Sequence, residues 1–170
     1  MILITGATGT VGSEVVKGLS AQGVPVRAVT RDPRKVNANR PPHVQVVQGD
    51  FEDAESMRRA CAGVDRAFLL TNSTERAEQQ QIGFTRVAHE SGVRHIVKLS
   101  QLHADATSPG RFLRYHAAVE AAVQASGLLE EFAMYRRGEA AGVEPGVREA
   151  LGRPPRSFDE FARDYAPLFA

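Results

Sequence analysis

With a single cysteine, Cys61, among 170 residues, the chain cannot close an intramolecular disulfide, and a reduced, cytoplasmic setting is expected. Within MRRACA at 57–62 that thiol reads as a small buried apolar side chain rather than a nucleophile. Long apolar runs are missing too: none approaches the length of a membrane-spanning helix. Met1 leads straight into an apolar strand with no signal-peptide pattern. Charge of one sign is not in excess. A formal net charge of +1 gives no general pull toward nucleic acid or an anionic membrane, so neither is expected as a partner. The five histidines, His43, His89, His95, His103 and His116, show no ligand spacing, and no metal site is expected. What is present, 42% hydrophobic and 24% charged residues, is ordinary for a globular protein, and the length suits one core rather than two.

The most informative stretch is MILITGATGTVG at 1–12. An apolar run stops at Thr5 and gives way to Gly6, Gly9 and Gly12, after which helix-forming residues begin. Strand, tight turn, helix is the implied order. That order suits a dinucleotide, because the turn lets main chain approach a pyrophosphate while free N–H groups and the positive end of the helix dipole face the phosphates. The spacing is Gly-x-x-Gly-x-x-Gly rather than Gly-x-Gly-x-x-Gly, so the flanking strand and helix carry the weight of the reading.

Further along, Val11, Val15, Val16 and Leu19 share one helical stripe, and residues 25–30, PVRAVT, read as a second parallel strand. The end of that strand is where such a fold selects its cofactor: an acid bonds the ribose 2′-hydroxyl, whereas an arginine accommodates a 2′-phosphate. Thr30 and Arg31 stand there, which points to NADP, with NAD left open. Asp32, before Pro33, reads as a cap or turn residue. Arg34 and Lys35 read either as additional charge near the phosphate or as a solvated helix face. Strands are expected at 43–48, 65–71 and 93–100, with helices at 53–62, 75–91 and 111–126. Strands alternating with helices argue an α/β, Rossmann-like doubly wound parallel sheet ordered 3-2-1-4-5. Asp50 and Phe51 leave the third strand where an adenine ring would rest.

Taken together, TGATGTVG at 5–12, TRDP at 30–33, GD at 49–50, FLLT at 68–71 and GVRHIVKLS at 92–100 resemble the NmrA-like atypical short-chain dehydrogenase/reductases. That group includes NAD(P)H-dependent quinone-reductase-like enzymes and NADP-sensing regulators. The resemblance places Gly6, Thr8, Gly9, Thr10, Val11 and Gly12 around the pyrophosphate and Arg31 at the 2′-phosphate. It also places Asp50 and Phe51 at the adenine, and Leu70, Thr71 and Asn72 along the adenosine ribose and diphosphate. It implies an NADP(H)-dependent oxidoreductase passing hydride to a quinone-like or other small acceptor, or alternatively a non-catalytic NADP redox sensor.

The resemblance runs to about Leu128 and then breaks. The family would continue with a sixth strand, an Arg-Pro step and the substrate pocket, whereas this chain moves directly to LEEFAMYRRG at 129–138 and a segment resembling the family's extreme carboxyl terminus. The expected organisation is an NAD(P)-binding domain over 1–128 and a helical tail over 129–170 packing on it. In that tail, Ser157 and Glu160 form a capping box ahead of the stripe Phe158, Phe161, Ala162, Tyr165 and Leu168. A section is missing near 128–129, either because the protein is shortened or because chain has been left out there. The second is expected, since a five-stranded remnant would leave its last strand as an open, apolar edge.

A short-chain reductase usually pairs a tyrosine with a lysine four residues later. Here Tyr115 is followed at that distance by Val119, so the pair is absent. Candidates for proton chemistry are Ser100, at the end of the fifth strand, Lys98 on the same strand face, and His116, with Glu120 four residues on. Each has a structural alternative: a surface-seeking lysine for Lys98, a helix-face pair for His116 and Glu120. Hydride transfer to a quinone needs little acid–base help, so losing the tyrosine–lysine pair does not remove an enzymatic reading. The acceptor and the oligomeric state are not legible in the sequence.

Overall fold

In a computed structural model of the chain, which describes residues 1–35, 41–101 and 103–128, five short strands of mostly aliphatic residues pair side by side. They are β1 (Ile2–Ile4), β2 (Val26–Thr30), β3 (Val44–Gln48), β4 (Arg66–Leu69) and β5 (His95–Lys98). All neighbours are parallel and the order is β3-β2-β1-β4-β5, as expected from the sequence.

Parallel neighbours need crossover connections, and four helices provide or follow them: α1 (Thr10–Ala21), α2 (Ala54–Cys61), α3 (Ala77–Glu90) and α4 (Arg111–Ala125). Consecutive strand residues point to opposite faces, and β1 shows this directly. Leu3 packs with Met57, Phe84 and Val119 beneath α2, α3 and α4. Ile4 packs with Val16, Val26 and Ala28 beneath α1. Helices therefore cover both faces, the doubly wound arrangement, and β1 is buried between them. Asp53 caps α2 as expected, its carboxylate accepting from the amides of Glu55 at 3.0 Å and Ser56 at 3.1 Å.

Between β2 and β3 the chain makes only a 3-10 turn, Pro33–Lys35, so the helix face imagined for Arg34 and Lys35 is a single turn. Asp32 accepts from the Arg34 amide at 3.1 Å, which fits its reading as a turn residue. Cys61 is buried, and burial pushes its thiol up to about 11, consistent with an apolar packing role. No helix among the described residues is long and apolar enough to cross a membrane.

At the sheet's edge, Val97 is 46% and Leu99 42% exposed. The chain leaving α4 returns beside this edge, where the amide of Ile96 donates to the carbonyl of Leu128 at 3.3 Å. The tail at 129–170, its capping box and the proposed gap near 128–129 lie outside the described residues.

Candidate active site

The carboxyl ends of β1 to β4 open onto one cleft of about 540 Å³, a volume in the range of small-molecule sites. Its floor is built by the turn after β1. Thr5, wholly buried, accepts from the Leu70 amide at 2.8 Å and donates to the Leu70 carbonyl at 2.9 Å, stitching the ends of β1 and β4 together. Gly6 then turns with φ +60°, where a side chain would also press on Leu70. Gly9 precedes α1 in an extended conformation, and no side chain caps the helix. Its first turn carries no acidic residue, so the free amides and the positive end of the dipole are left unneutralised at the cleft. That main-chain cradle fits a diphosphate.

Of the twelve residues assigned to the cofactor by the resemblance, eleven line the cleft: Gly6, Thr8, Gly9, Thr10, Val11, Arg31, Asp50, Phe51, Leu70, Thr71 and Asn72. Gly12 does not. It is buried beneath the turn, where an added Cβ would lie 2.1 Å from the Gly6 carbonyl oxygen, so its role is close packing of α1 on the loop rather than contact with phosphate. Arg31 is exposed on the rim, and its guanidinium makes no hydrogen bond or ion pair among the described residues. Asp32 also lines the cleft, and its carboxylate is engaged by Arg34 at 2.9 Å. Phe51 packs edge-on against Phe84 with centroids 5.9 Å apart, bracing the cleft's far wall.

Sequence reasoning passed over Gln80 and Thr74, which line the same cleft from the start of α3 and the loop before it. No motif marks them. Gln80 donates to Glu52 at 2.8 Å, and Arg76 pairs with Glu52 at 3.3 Å, tying α3 to the loop after β3.

The catalytic candidates gather beside the cleft. Past the paired Leu69 and Lys98, where the Leu99 amide donates to the Leu69 carbonyl at 3.0 Å, one chain runs on to Thr71 on the cleft wall and its neighbour to Ser100. Lys98 is 3% exposed and does not run to the surface, correcting the surface-seeking alternative. Its ammonium lies 2.9 Å from Ser100 Oγ and 2.7 Å from His116 Nδ1. The Ser100 hydroxyl donates to the Glu120 carboxylate. His116 and Glu120 thus meet through Ser100 and Lys98 rather than as a helix-face pair.

Burial pulls Lys98 down to about 8, with Glu120 opposing the fall. Burial, then the Lys98 charge, pulls His116 down to about 4. Near neutrality the lysine is charged and the imidazole neutral. Nδ1 then accepts from the ammonium, which leaves the imidazole proton on Nε2. Tyr115 stacks on His116 at 4.2 Å, and its hydroxyl reaches Ser73 at 3.4 Å, joining α4 to the loop after Asn72.

Residues 6–137 match the family described as NAD(P)H-binding. A (4-alkanoyl-5-oxo-2,5-dihydrofuran-3-yl)methyl phosphate reductase from Streptomyces griseus is 37% identical over 153 residues, 88% of this chain and 53% of the relative. An NAD(P)H azoreductase from Xenophilus azovorans is 33% identical over 132 residues, covering 78% and 46%. Among solved structures, the NADPH-dependent quinone oxidoreductase of Escherichia coli complexed with NADPH superposes with a TM-score of 0.67 at 29% identity, covering 86% and 55%. The chain therefore spans about half the length of the relatives it matches, and it belongs to the NAD(P)H-binding family of Rossmann-fold proteins.

Proposed function

We propose that this chain is the NADP(H)-binding part of an oxidoreductase that passes hydride to a quinone-like or other small acceptor. The observation that carries the reading is the cleft itself, with a helix start that no side chain caps over a glycine turn and, on its rim, an arginine that is unpartnered among the described residues. In this reading Gly6, Thr8, Gly9, Thr10 and Val11 surround the diphosphate and Arg31 holds the 2′-phosphate. Asp50 and Phe51 border the adenine, while Leu70, Thr71 and Asn72 follow the adenosine ribose and diphosphate. Gly12 supports the turn from below. Bound NADPH would supply the hydride. Residues 1–128 form the cofactor domain and 129–170 its carboxyl-terminal tail, in a cytoplasmic protein.

Reducing a quinone to a quinol takes one hydride and one proton from outside the cofactor. Ser100, Lys98 and His116 are the groups placed to manage that proton. A lysine lowered to about 8 keeps its proton at neutral pH yet releases it more readily than a free lysine. Ser100, bonded to both Lys98 and Glu120, stands two residues past β5, the strand paired with β4, whose following residues line the cleft.

Titrating the chain with NADPH and NADH by fluorescence, then mixing it with NADPH and a quinone panel, tests the proposal. Submicromolar to micromolar NADPH binding with NADPH oxidation supports it. Tight binding with no oxidation by any acceptor turns the reading to the sensor. No binding at all defeats both.

A further inference from the structure

Gln81 sits on α3 at 2% exposure, an amide where an apolar side chain would pack at less cost. Its Nε2 donates to Thr71 Oγ1 at 2.8 Å. Its Oε1, also buried, meets no partner among the described residues. Turning the amide over would leave a buried N–H without a partner in place of a carbonyl. Orphaned N–H groups are the rarer of the two in native proteins, so the orientation with Nε2 toward Thr71 stands.

A hydroxyl that accepts a hydrogen bond still has one hydrogen to give. For Thr71 no acceptor among the described residues takes it, and Thr71 lies on the cleft wall. We infer that Gln81 is a positioning residue that holds the Thr71 hydroxyl as a hydrogen-bond donor into the cleft, toward an acceptor oxygen of the dinucleotide. Gln81 does not line the cleft itself, so it acts only through Thr71. This rests on the cofactor reading above. It also gives a physical reason for a half-satisfied amide in the interior: the hydrogen bond made to Thr71 fixes which way a cleft donor points, a task no apolar residue performs.

The test is a double-mutant cycle on the full chain, read as the NADPH dissociation constant by calorimetry and not as turnover. Gln81→Met keeps the length and apolar bulk without the amide; Thr71→Val keeps the shape without the hydroxyl. Each single change is expected to weaken NADPH about fivefold, the worth of one oriented hydrogen bond. The double variant is expected to be no weaker than Thr71→Val alone, and Thr71→Ser to bind like the unsubstituted chain. Should Gln81→Met fail to fold by circular dichroism, Gln81→Asn, whose amide falls short of Thr71, takes its place in the cycle. Losses that simply multiply in the double variant, or a Gln81 change of less than twofold, overturn the inference while leaving the cofactor reading intact. An unsubstituted chain that binds no NADPH overturns both.

Discussion

Lys98, on the central face of β5, holds its ammonium 2.7 Å from Nδ1 of His116 on α4. The lysine missing four residues after Tyr115 is thus matched by one that enters the same neighbourhood from a strand. Burial draws both groups toward their neutral forms, which makes the pair sensitive to pH.

Both groups are pulled down, His116 to about 4 and Lys98 to about 8. Against unfolded values of about 6.5 and 10.4, the unfolded chain binds more protons in each window. Stability therefore rises with pH from about 4 to about 6.5 through His116, and again from about 8 to about 10.4 through Lys98. Thermal melts of the unsubstituted chain and of His116→Gln between pH 4 and 7 measure the first window. The variant is expected to lose a gain on the order of 2 kcal/mol; parallel melting curves would show that His116 is not held neutral.

Gly12 and Gly9 should separate cleanly. An alanine at 12 drives its Cβ to 2.1 Å from the Gly6 oxygen and 2.7 Å from the Gly6 carbonyl carbon, a clash with backbone that cannot swing away. Gly12→Ala is expected to lose roughly 3 kcal/mol or more, or not to fold. At Gly9 the nearest atom is 3.3 Å from an added Cβ, so Gly9→Ala is expected to melt within a few degrees of the unsubstituted chain. Its methyl group would instead stand where main chain meets a diphosphate, with NADPH bound at least about tenfold more weakly. Equal melting losses for the two variants would contradict the assignment.

Arg31 offers a test of cofactor choice without a stability cost, since its side chain is exposed and makes no hydrogen bond or ion pair among the described residues. Arg31→Ala is expected to weaken NADPH by about tenfold or more and to leave NADH affinity within a factor of two, because only the former carries a 2′-phosphate. Calorimetric titration with both nucleotides checks it. Unchanged NADPH affinity would move the 2′-phosphate contact elsewhere on the rim.

For proton handling, Lys98→Met is expected to lower NADPH-dependent quinone reduction by about a hundredfold with the NADPH dissociation constant unchanged. The descending limb of the rate against pH near 8 should disappear with it. A variant as active as the parent, with the same pH profile, would reduce the buried lysine to a structural element.

The family resemblance assigned the eleven cleft residues; what the sequence determined by itself is local: periods of two and 3.6, glycines at 6, 9 and 12, and an arginine after β2 already imply strand, turn and helix order and the parallel sheet. These follow from backbone sterics and short-range pattern, which act within a few residues. Tertiary structure decided the rest, because it depends on residues far apart in the chain meeting. Gly12 was legible as a glycine of the motif but not as a packing glycine, which required the Gly6 carbonyl above it. Lys98 looked surface-seeking on a strand until α4 closed over it and supplied His116. Gln81 carried no sequence signal at all, since a glutamine on a helix is unremarked until burial removes its water and leaves its amide one partner among the described residues, Thr71, ten residues back on the cleft wall.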